Sequence, residues 1–260
     1  MKPERTLVIG DIHGNYEALN KALELAKFDI TKDRIICLGD YIDGWPQSFD
    51  VVKRLLEIKN NSPFNNIFIL GNHDKWFLDI LQKDFLNPRN ENYIKRKHPD
   101  WYVFGGKQTL DSYLVYDDSF IEIHLEDFYS KLKLYHIEDN KLFVHAGFDY
   151  KIGFDYTLKS MPEVLIWNRS LFAEARNKYL MNENLRHMNQ PIVDFKFGRF
   201  DKIYIGHTPT NRYGLDEPIV MGNVINVDQG CKKKGRLTIW VDETQAFYQA
   251  DAVTEQDPMD

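Results

Sequence analysis

The segment that decides the fold is RIICLGDYIDG, residues 34–44, in which an apolar run leads into two carboxylates. The run at 34–38 has the length and composition of a buried β-strand. Gly39 permits a sharp exit from that strand, and Asp40 and Asp43 follow it. Two carboxylates this close repel each other unless a cation or a proton-sharing partner offsets their charge. The segment therefore predicts a strand that ends in a charged site.

Four further apolar runs end in clusters of the same kind. The five clusters are Gly10-Asp11-Ile12-His13-Gly14, Gly39-Asp40 with Asp43, Gly71-Asn72-His73-Asp74, His145-Ala146-Gly147 and Gly206-His207-Thr208. In open α/β sheets, ligands bind at the carboxyl ends of the strands. A single Asp or His at a strand end is typical of a turn, but five such clusters predict that their side chains meet in one site.

The order of apolar runs and amphipathic stretches predicts an α/β fold. Predicted strands at 6–9, 34–38 and 67–70 alternate with predicted helices at 15–28, 48–58 and 75–81. Strands that alternate with helices in this way form parallel sheets. We expect further strands at 141–144, 202–205, 224–227, 236–241 and 246–248, the last four in a second sheet, and a helix at 170–190.

Domain organisation follows from the same pass along the chain. We expect one domain, residues 1–250, with a helical cap inserted at about 85–135 and a loose acidic tail at 251–260. A chain of 260 residues is long enough for a sizeable core. Its two cysteines, Cys37 and Cys231, do not indicate a disulfide framework.

Composition excludes some classes of function. The net charge of -6 and pI near 5.8 give no strong nucleic-acid signal, and the run Lys232-Lys233-Lys234 is typical of a solvated loop. No stretch approaches the ~18 apolar residues of a membrane span, and the N-terminus lacks a signal-peptide core. We therefore expect a cytoplasmic protein with no membrane partner. The sequence gives no indication of the oligomeric state.

Mixed carboxylate, imidazole and amide ligands predict a transition-metal site. They suit Mn²⁺, Fe or Zn²⁺ better than the all-oxygen shell of Mg²⁺ or Ca²⁺. The set is too large for one catalytic ion with open positions, and it suits two ions that share a carboxylate. Such a pair activates a bridging hydroxide and neutralises charge during phosphoryl transfer.

The order GDIHG, GDYIDG, GNHD, HAG, GHT resembles that of the calcineurin-like metallophosphoesterases. Within them it is most similar to the phosphoprotein-phosphatase branch, which includes bacterial and phage Ser/Thr protein phosphatases and diadenosine tetraphosphatases. Further matches are IWNR at 166–169 and VDQG at 227–230. The resemblance implies a four-layer α/β-β/α sandwich of two mixed sheets, with a helical cap insertion and the site at the shared edge of the sheets.

The resemblance also implies roles for individual residues. His73 would be the general acid that protonates the leaving oxygen, Asp43 would orient it, and Arg169 would bind the substrate phosphate. The implied metal ligands are Asp11 and His13 for the first of two divalent ions, Asp40 as the bridge, and Asn72, His145 and His207 for the second. We expect Mn²⁺ at both positions, with Fe or Zn²⁺ as alternatives.

One position departs from the family pattern. Members commonly read GD-x-x-D-R-G, with an arginine that binds the substrate phosphate, whereas this chain has Gly44 there and Trp45 next. A bidentate phosphate contact is therefore missing at that point. Two interpretations of Trp45 remain open. It either offers a stacking face to a bulky substrate or packs beneath the cap.

The leading hypothesis is a two-metal phosphoesterase that hydrolyses phosphate monoesters by in-line attack of the metal-bridging hydroxide. Its substrate would be a phosphorylated protein or a small phosphate ester. The alternative is a nucleotide hydrolase, either a dinucleoside polyphosphatase or a phosphodiesterase. A hypothesis of another class, a metal-bearing scaffold without turnover, requires lost ligands or a lost general acid, and every one of these positions is filled.

Overall fold

The apolar runs form two mixed β-sheets within residues 2–85 and 90–252, the part of the chain that the computed structural model describes. The strands are β1 (Arg5–Ile9), β2 (Asp33–Cys37), β3 (Ile67–Phe68), β4 (Tyr135–Glu138), β5 (Lys141–Val144), β6 (Lys202–Ile205), β7 (Ile219–Met221), β8 (Val224–Asn226), β9 (Asp228–Gln229), β10 (Arg236–Val241) and β11 (Phe247–Asp251). The helices are α1 (Tyr16–Leu25), α2 (Ser48–Asn61), α3 (Asn72–Ile80), α4 (Glu91–Lys97), α5 (Pro99–Trp101), α6 (Lys107–Leu114), α7 (Asp118–Ile123), α8 (Phe154–Ser160), α9 (Val164–Trp167) and α10 (Ser170–His187). Single π-helical or 3₁₀ turns lie at Leu81–Phe85, Tyr102–Gly106, His124–Phe128, Tyr129–Lys131 and Thr210–Tyr213.

Parallel strands form the centre of each sheet. The first sheet has the order β11-β10-β1-β2-β3, and β9 also pairs with β10. In it β1, β2 and β3 are parallel, as the strand–helix alternation predicts, and β10 is antiparallel to β1. The second sheet has the order β4-β5-β6-β8-β7, with β5, β6 and β8 parallel.

The prediction that the last strands lie in the second sheet is wrong for two of them. Strands β10 and β11 belong to the first sheet, where β10 pairs with β1 and places Val8 opposite Trp240. Chain order alone does not decide sheet membership, because an antiparallel strand can return to the edge of an earlier sheet. The prediction did not include the short strands β4 and β7. Strands β4 and β5 form a hairpin, and its turn at Asp139-Asn140 has the two positive φ angles of a tight hairpin.

Three buried layers of side chains confirm the four-layer α/β sandwich. Val8 and Ile36 pack between the two sheets with Phe143 and Tyr204 of the second sheet. Neighbouring residues along β1, such as Leu7, face the opposite way and pack on α1 and α2, as the two-residue period of a strand requires. The third layer packs the outer face of the second sheet against α8 and α10.

The cap helices share the core of the first sheet. Tyr113 of α6 lies 4.9 Å from Phe77 of α3 and 5.2 Å from Phe49 of α2, measured between ring centroids. Trp101 stacks on Phe77 at 5.6 Å. The segment at 90–131 therefore packs on α2 and α3 beside the carboxyl ends of the strands, next to the predicted site.

Two boundaries differ from the prediction. Helix α3 begins at Asn72, three residues before the predicted start, so Asn72 and His73 lie in its first turn. Strand β11 extends to Asp251, and Ala252 is buried, so the first two residues of the tail predicted at 251–260 belong to the fold; residues 253–260 lie outside the described part. None of the described helices is long and apolar enough to cross a membrane; the cytoplasmic location stays a prediction.

Candidate active site

The six side chains predicted as metal ligands lie together where the two sheets meet, each no more than 5 % exposed. Asp11 and His13 follow β1, Asp40 follows β2, Asn72 opens α3 behind β3, His145 follows β5 and His207 follows β6. Five of the six line a cleft of about 320 Å³. Both sheets therefore contribute to one site through the loops at their carboxyl ends.

Asp40 is the centre of this cluster. Its Oδ2 lies 3.6 Å from His13 Nε2, and its Oδ1 lies 3.3 Å from His145 Nε2. Two groups of ligand atoms, each within a span of 4.8 Å, share Asp40: one adds His13 and His73, the other His145 and His207. The carboxylate of Asp40 thus faces two separate groups of atoms that could bind a metal ion.

The hydrogen bonds of the histidines fit a pair of cations. His145 Nδ1 lies 2.8 Å from the Leu38 carbonyl and must donate to it, because a carbonyl only accepts. A metal ion would bind the neutral ring, in which Nε2 directs its lone pair at Asp40 and at Asn72 Oδ1, 3.1 Å away; without the ion, the Asp40 carboxylate outweighs burial and raises the pKa of His145. His13 repeats the arrangement, because its Nδ1 donates to backbone carbonyls. Acceptors that face each other need a proton or a cation between them, and metal-binding histidines commonly donate their other N–H to a carbonyl.

The buried carboxylates repel one another. Burial, with Asp228 and Asp40 nearby, raises the pKa of Asp11 well above its ordinary value. Burial also raises the pKa of Asp228, to about 6. Burial acts in the same direction on Asp40, but His145 and other histidines outweigh it and hold the pKa of Asp40 well below its ordinary value. Divalent cations would relieve this repulsion, so the residues present fit a binuclear metal site.

Asp43, the second carboxylate of the segment at 34–44, has hydrogen-bond partners of its own. Asp43 is fully buried, and its Oδ2 lies 2.7 Å from His73 Nδ1. It also accepts hydrogen bonds from Trp101 Nε1 at 2.8 Å and from Thr109 Oγ1 at 2.7 Å, both from the cap. The cap therefore fixes the carboxylate that orients the His73 ring.

Lys232 is a site residue that sequence reasoning missed. Its Nζ lies 2.8 Å from His73 Nε2, and burial lowers its pKa. An ammonium only donates, so His73 Nε2 accepts in this contact and Nδ1 carries the proton shared with Asp43. The run of three lysines is typical of a solvated loop, and only the turn after β9 reveals that the first of them enters the cleft.

Two arginines line the opposite side of the cleft. Arg169 precedes α10 directly, and its Nη2 donates to the His207 carbonyl at 3.4 Å. Arg212, from the turn after β6, lines the same cleft and was not predicted. Asp228, which belongs to a matching motif but had no assigned role, also lies there. Cationic side chains thus surround the carboxylate and histidine cluster.

Asp74, which belongs to the third predicted cluster but had no assigned role, joins two of the loops. Its carboxylate accepts from the backbone N–H groups of Asp40 at 2.7 Å, Tyr41 at 3.0 Å and Gly71 at 2.9 Å. This arrangement holds Asp40 at φ +52°, a conformation that costs a non-glycine residue on the order of 1 kcal/mol or more. His13, Asp43 and His207 also have positive φ, so the strained backbone positions concentrate at the site.

Two of the strand-end glycines are needed for close approach. A Cβ added at Gly206 would lie 2.1 Å from Asp11 Oδ1, and one added at Gly71 would lie 2.1 Å from Asp40 Oδ1. Real atoms do not approach so closely, so any other residue would displace the carboxylates. Gly71 and Gly206 therefore leave room for the carboxylates of the site.

Aromatic side chains form a rim around the cleft. Trp76 lies 5.5 Å from His73, and Trp167 lies 6.2 Å from His207 and 5.1 Å from Trp76. Trp45 does not belong to this rim: it is 1 % exposed and its Nε1 donates to the Cys231 carbonyl at 2.6 Å. Of the two interpretations of Trp45, packing beneath the cap is therefore correct.

Comparison with known proteins places this geometry in a family. The sequence profile of the calcineurin-like phosphoesterases matches residues 4–211. A symmetrical bis(5'-nucleosyl)-tetraphosphatase of Nitrosomonas europaea is 29 % identical over 95 % of the chain and 98 % of its own length. One of Coxiella burnetii is 41 % identical over 76 residues, 29 % of the chain and 24 % of its own length, so the match spans about a quarter of that relative.

A solved structure shares the fold. It was assigned provisionally as a diadenosine tetraphosphatase, superposes with a TM-score of 0.61, is 19 % identical and covers 96 % of each chain. An identity this low shows the fold alone. The matched profile includes β1 to β6 and every strand-end cluster described above. The chain therefore belongs to the calcineurin-like phosphoesterase family.

Proposed function

We propose that the protein hydrolyses a phosphoanhydride bond of a dinucleoside polyphosphate at a binuclear metal centre. The observation that carries the proposal is the position of Asp40, whose two oxygens face separate sets of donors. A shared carboxylate is what a two-ion site for phosphoryl transfer requires.

The relatives favour this substrate class over the phosphorylated protein of the leading hypothesis. The full-length relative is named a symmetrical bis(5'-nucleosyl)-tetraphosphatase. Cleavage of that kind breaks the central P–O–P bridge: water oxygen bonds to one phosphorus, the bridging oxygen leaves with the other half, and two nucleoside diphosphates result. Such a substrate carries several negative charges, which Arg169, Arg212 and Lys232 are placed to bind.

The metal ligands that we propose are those of the sequence prediction. Asp11 and His13 would hold one ion, Asn72, His145 and His207 the other, and Asp40 both. When bound, two such ions supply a hydroxide nucleophile at neutral pH and neutralise phosphate charge. We propose Mn²⁺ because the mixed oxygen and nitrogen ligands suit it.

His73 would donate the proton to the leaving oxygen. Asp43 holds Nδ1, so only Nε2 can face the substrate. In the structure Lys232 donates to that nitrogen. A bound phosphate offers Lys232 a stronger acceptor, and once Lys232 turns to it, Nε2 is free to carry a proton. Asp43 stabilises the imidazolium that forms. His73 is a poor candidate for a metal ligand, because Asp43 holds Nδ1 and the acid role requires a proton on Nε2.

The test uses metal-stripped protein reloaded with Mn²⁺. Diadenosine tetraphosphate, a phosphoserine peptide and p-nitrophenyl phosphate are compared by kcat/KM, and nucleotide products are separated by chromatography. We expect metal-dependent cleavage of the dinucleotide to ADP as the sole nucleotide product, with kcat/KM well above that for the peptide. Products AMP and ATP would reject symmetrical cleavage, and preference for the peptide would restore the protein-phosphatase hypothesis.

A further inference from the structure

A groove beside the catalytic cleft is assigned no role by the proposed function. It encloses about 660 Å³ between the cap and the turn that carries Lys232, a volume typical of small-molecule sites. Its lining combines apolar and cationic side chains, which include Tyr102, Val103, Phe104, Lys232 and Lys233. Val103 is 76 % exposed and Phe104 is 58 % exposed, although both are large apolar residues.

The groove is continuous with the cleft. Lys232 and Lys233 line both cavities. Within residues 2–85 and 90–252, neither lysine forms a salt bridge, and the described partner of Lys232 Nζ is His73. Within the described part of the chain, two lysines without a salt-bridge partner thus lie at the junction, in a protein whose net charge is -6.

Two glycines shape this junction. Gly105 has φ +107° and interrupts the helical backbone of the cap, and its carbonyl accepts from Gly44 N at 3.2 Å. A Cβ at Gly105 would lie 2.7 Å from Gly44 N, and one at Gly44 would lie 3.2 Å from Lys232 Cγ. The glycine at 44 therefore leaves room for the Lys232 side chain, and the kink at Gly105 turns Val103 and Phe104 outward beside it.

The direction of the reaction decides what the groove receives. In an in-line displacement the leaving group departs opposite the nucleophile, on the side of the group that protonates it. His73, the proposed acid, contacts Lys232, and Asp43 immediately precedes Gly44 of the groove. The groove begins where the leaving group must emerge.

We propose that this groove binds the leaving nucleoside diphosphate, with its phosphates on Lys232 and Lys233 and its nucleoside on the surface of Val103 and Phe104. Any base can stack on an aromatic side chain, because every base has a π-face. The assignment rests on the proposed function, because it requires a nucleotide substrate, and it extends that function to a site for one half of the substrate.

The test measures inhibition of p-nitrophenyl phosphate hydrolysis by ADP and by inorganic phosphate, using full-length Mn²⁺-loaded protein. Phosphate reaches only the metal centre, whereas ADP also extends into the groove. In Val103→Asp we expect the ratio of Ki for ADP to Ki for phosphate to rise roughly tenfold or more, because aspartate removes apolar surface that the nucleoside covers and adds a negative charge to a groove that binds an anion. In Val103→Lys we expect the same ratio to fall.

The matched control is Val115→Asp, since Val115 is 79 % exposed on the same cap but does not line the groove. Its ratio should equal that of the wild type. Equal ratios in the variants Val103→Asp and Val115→Asp would overturn the assignment. Failure of the proposed function looks different: wild-type protein would then hydrolyse p-nitrophenyl phosphate but leave diadenosine tetraphosphate intact.

Discussion

Single residues of the site could be predicted where each belongs to a short motif that follows a predicted strand. Asp11, His13, Asp40, His145 and His207 each follow a glycine or an apolar run, so the sequence shows where each strand ends, and the structure brings them together. Their roles as ligands stay predictions. The roles of Lys232 and Asp74 could not be predicted in this way, because the contacts that matter join each to a distant loop: Lys232 reaches His73, and Asp74 holds Asp40.

Replacement of His73 by asparagine separates proton donation from metal binding. Asparagine keeps a polar side chain of similar reach but cannot donate an acidic proton, so we expect kcat to fall about 10²–10⁴-fold for substrates with poor leaving groups. The loss should be smaller for p-nitrophenyl phosphate, whose leaving group needs little protonation. Metal content, measured by elemental analysis, should not change.

The matched control for this variant is His187→Asn, at the exposed end of α10. It should retain wild-type kinetics with both substrates. Equal losses with good and poor leaving groups would contradict the acid role of His73, as would a loss of bound metal.

Among the elements, the long periodic helices and the parallel strands were predictable, and the short strands were not. Strand β4 is only partly buried, so its sequence lacks the apolar run that marks β1 or β2. The predicted start of α3 was too late because Asn72, His73 and Asp74 have low helix propensity. Polar residues of this kind are nevertheless tolerated in a first turn, so the helix begins at Asn72. Local propensity therefore gave an incorrect start at the place where the site needs these side chains.

His124 makes the packing of the cap depend on pH. It lies between elements, with its ring stacked on Phe49 of α2 at 4.3 Å and its Nδ1 2.9 Å from Tyr113 Oη of α6. Burial lowers its pKa from 6.5 to about 4. Between these values the unfolded chain binds the proton and the folded one does not, so the free energy of unfolding falls as the pH decreases from about 6.5 to about 4 and then levels off.

The measurement compares thermal unfolding midpoints of wild type and His124→Asn at several pH values between 4 and 7. The variant lacks this titration, so the difference between the two curves should shrink as the pH falls. His187→Asn, which changes an exposed imidazole, should follow the wild type. Parallel curves for wild type and His124→Asn would show that this histidine does not control the cap.

At the scale of the whole molecule, the site is one of the places where polar contacts join the two sheets. Asp40 from the first sheet meets His145 and His207 of the second, and the backbone N–H of His207 donates to Asp11 at 3.0 Å. Which sheet β10 joins was decided by long-range pairing that no local pattern encodes. The parallel centre of each sheet, in contrast, follows from strand–helix alternation.

Metal binding should therefore stabilise the molecule as a unit. With free Mn²⁺ at about a hundred times its Kd, linkage gives about 2.7 kcal/mol, which corresponds to a rise in Tm of about 5–10 °C for a domain of this size. Asp40→Asn should remove most of this rise, since asparagine tolerates the positive φ of this position but binds metal poorly. Differential scanning calorimetry with and without chelator measures the metal-dependent rise in Tm of the wild type and of Asp40→Asn.

The control is Asp79→Asn, which removes a carboxylate from a surface pair with Lys75 on α3. It should retain the Mn²⁺-dependent rise of the wild type. An undiminished rise and an unchanged metal stoichiometry in Asp40→Asn would contradict the shared-ligand role of Asp40.

The tryptophans of the aromatic rim lie close enough to the cleft for their fluorescence to report on its occupancy. Of the five tryptophans, Trp76 and Trp167 border the cleft, whereas Trp45, Trp101 and Trp240 are no more than 4 % exposed. Because Trp76 lies against His73 and Trp167 against His207, a paramagnetic ion in the cleft would quench the emission of these two indoles, together with that of Trp101, whose Nε1 donates to Asp43. Intrinsic fluorescence, without an attached dye, could then follow the filling and emptying of the cleft in real time.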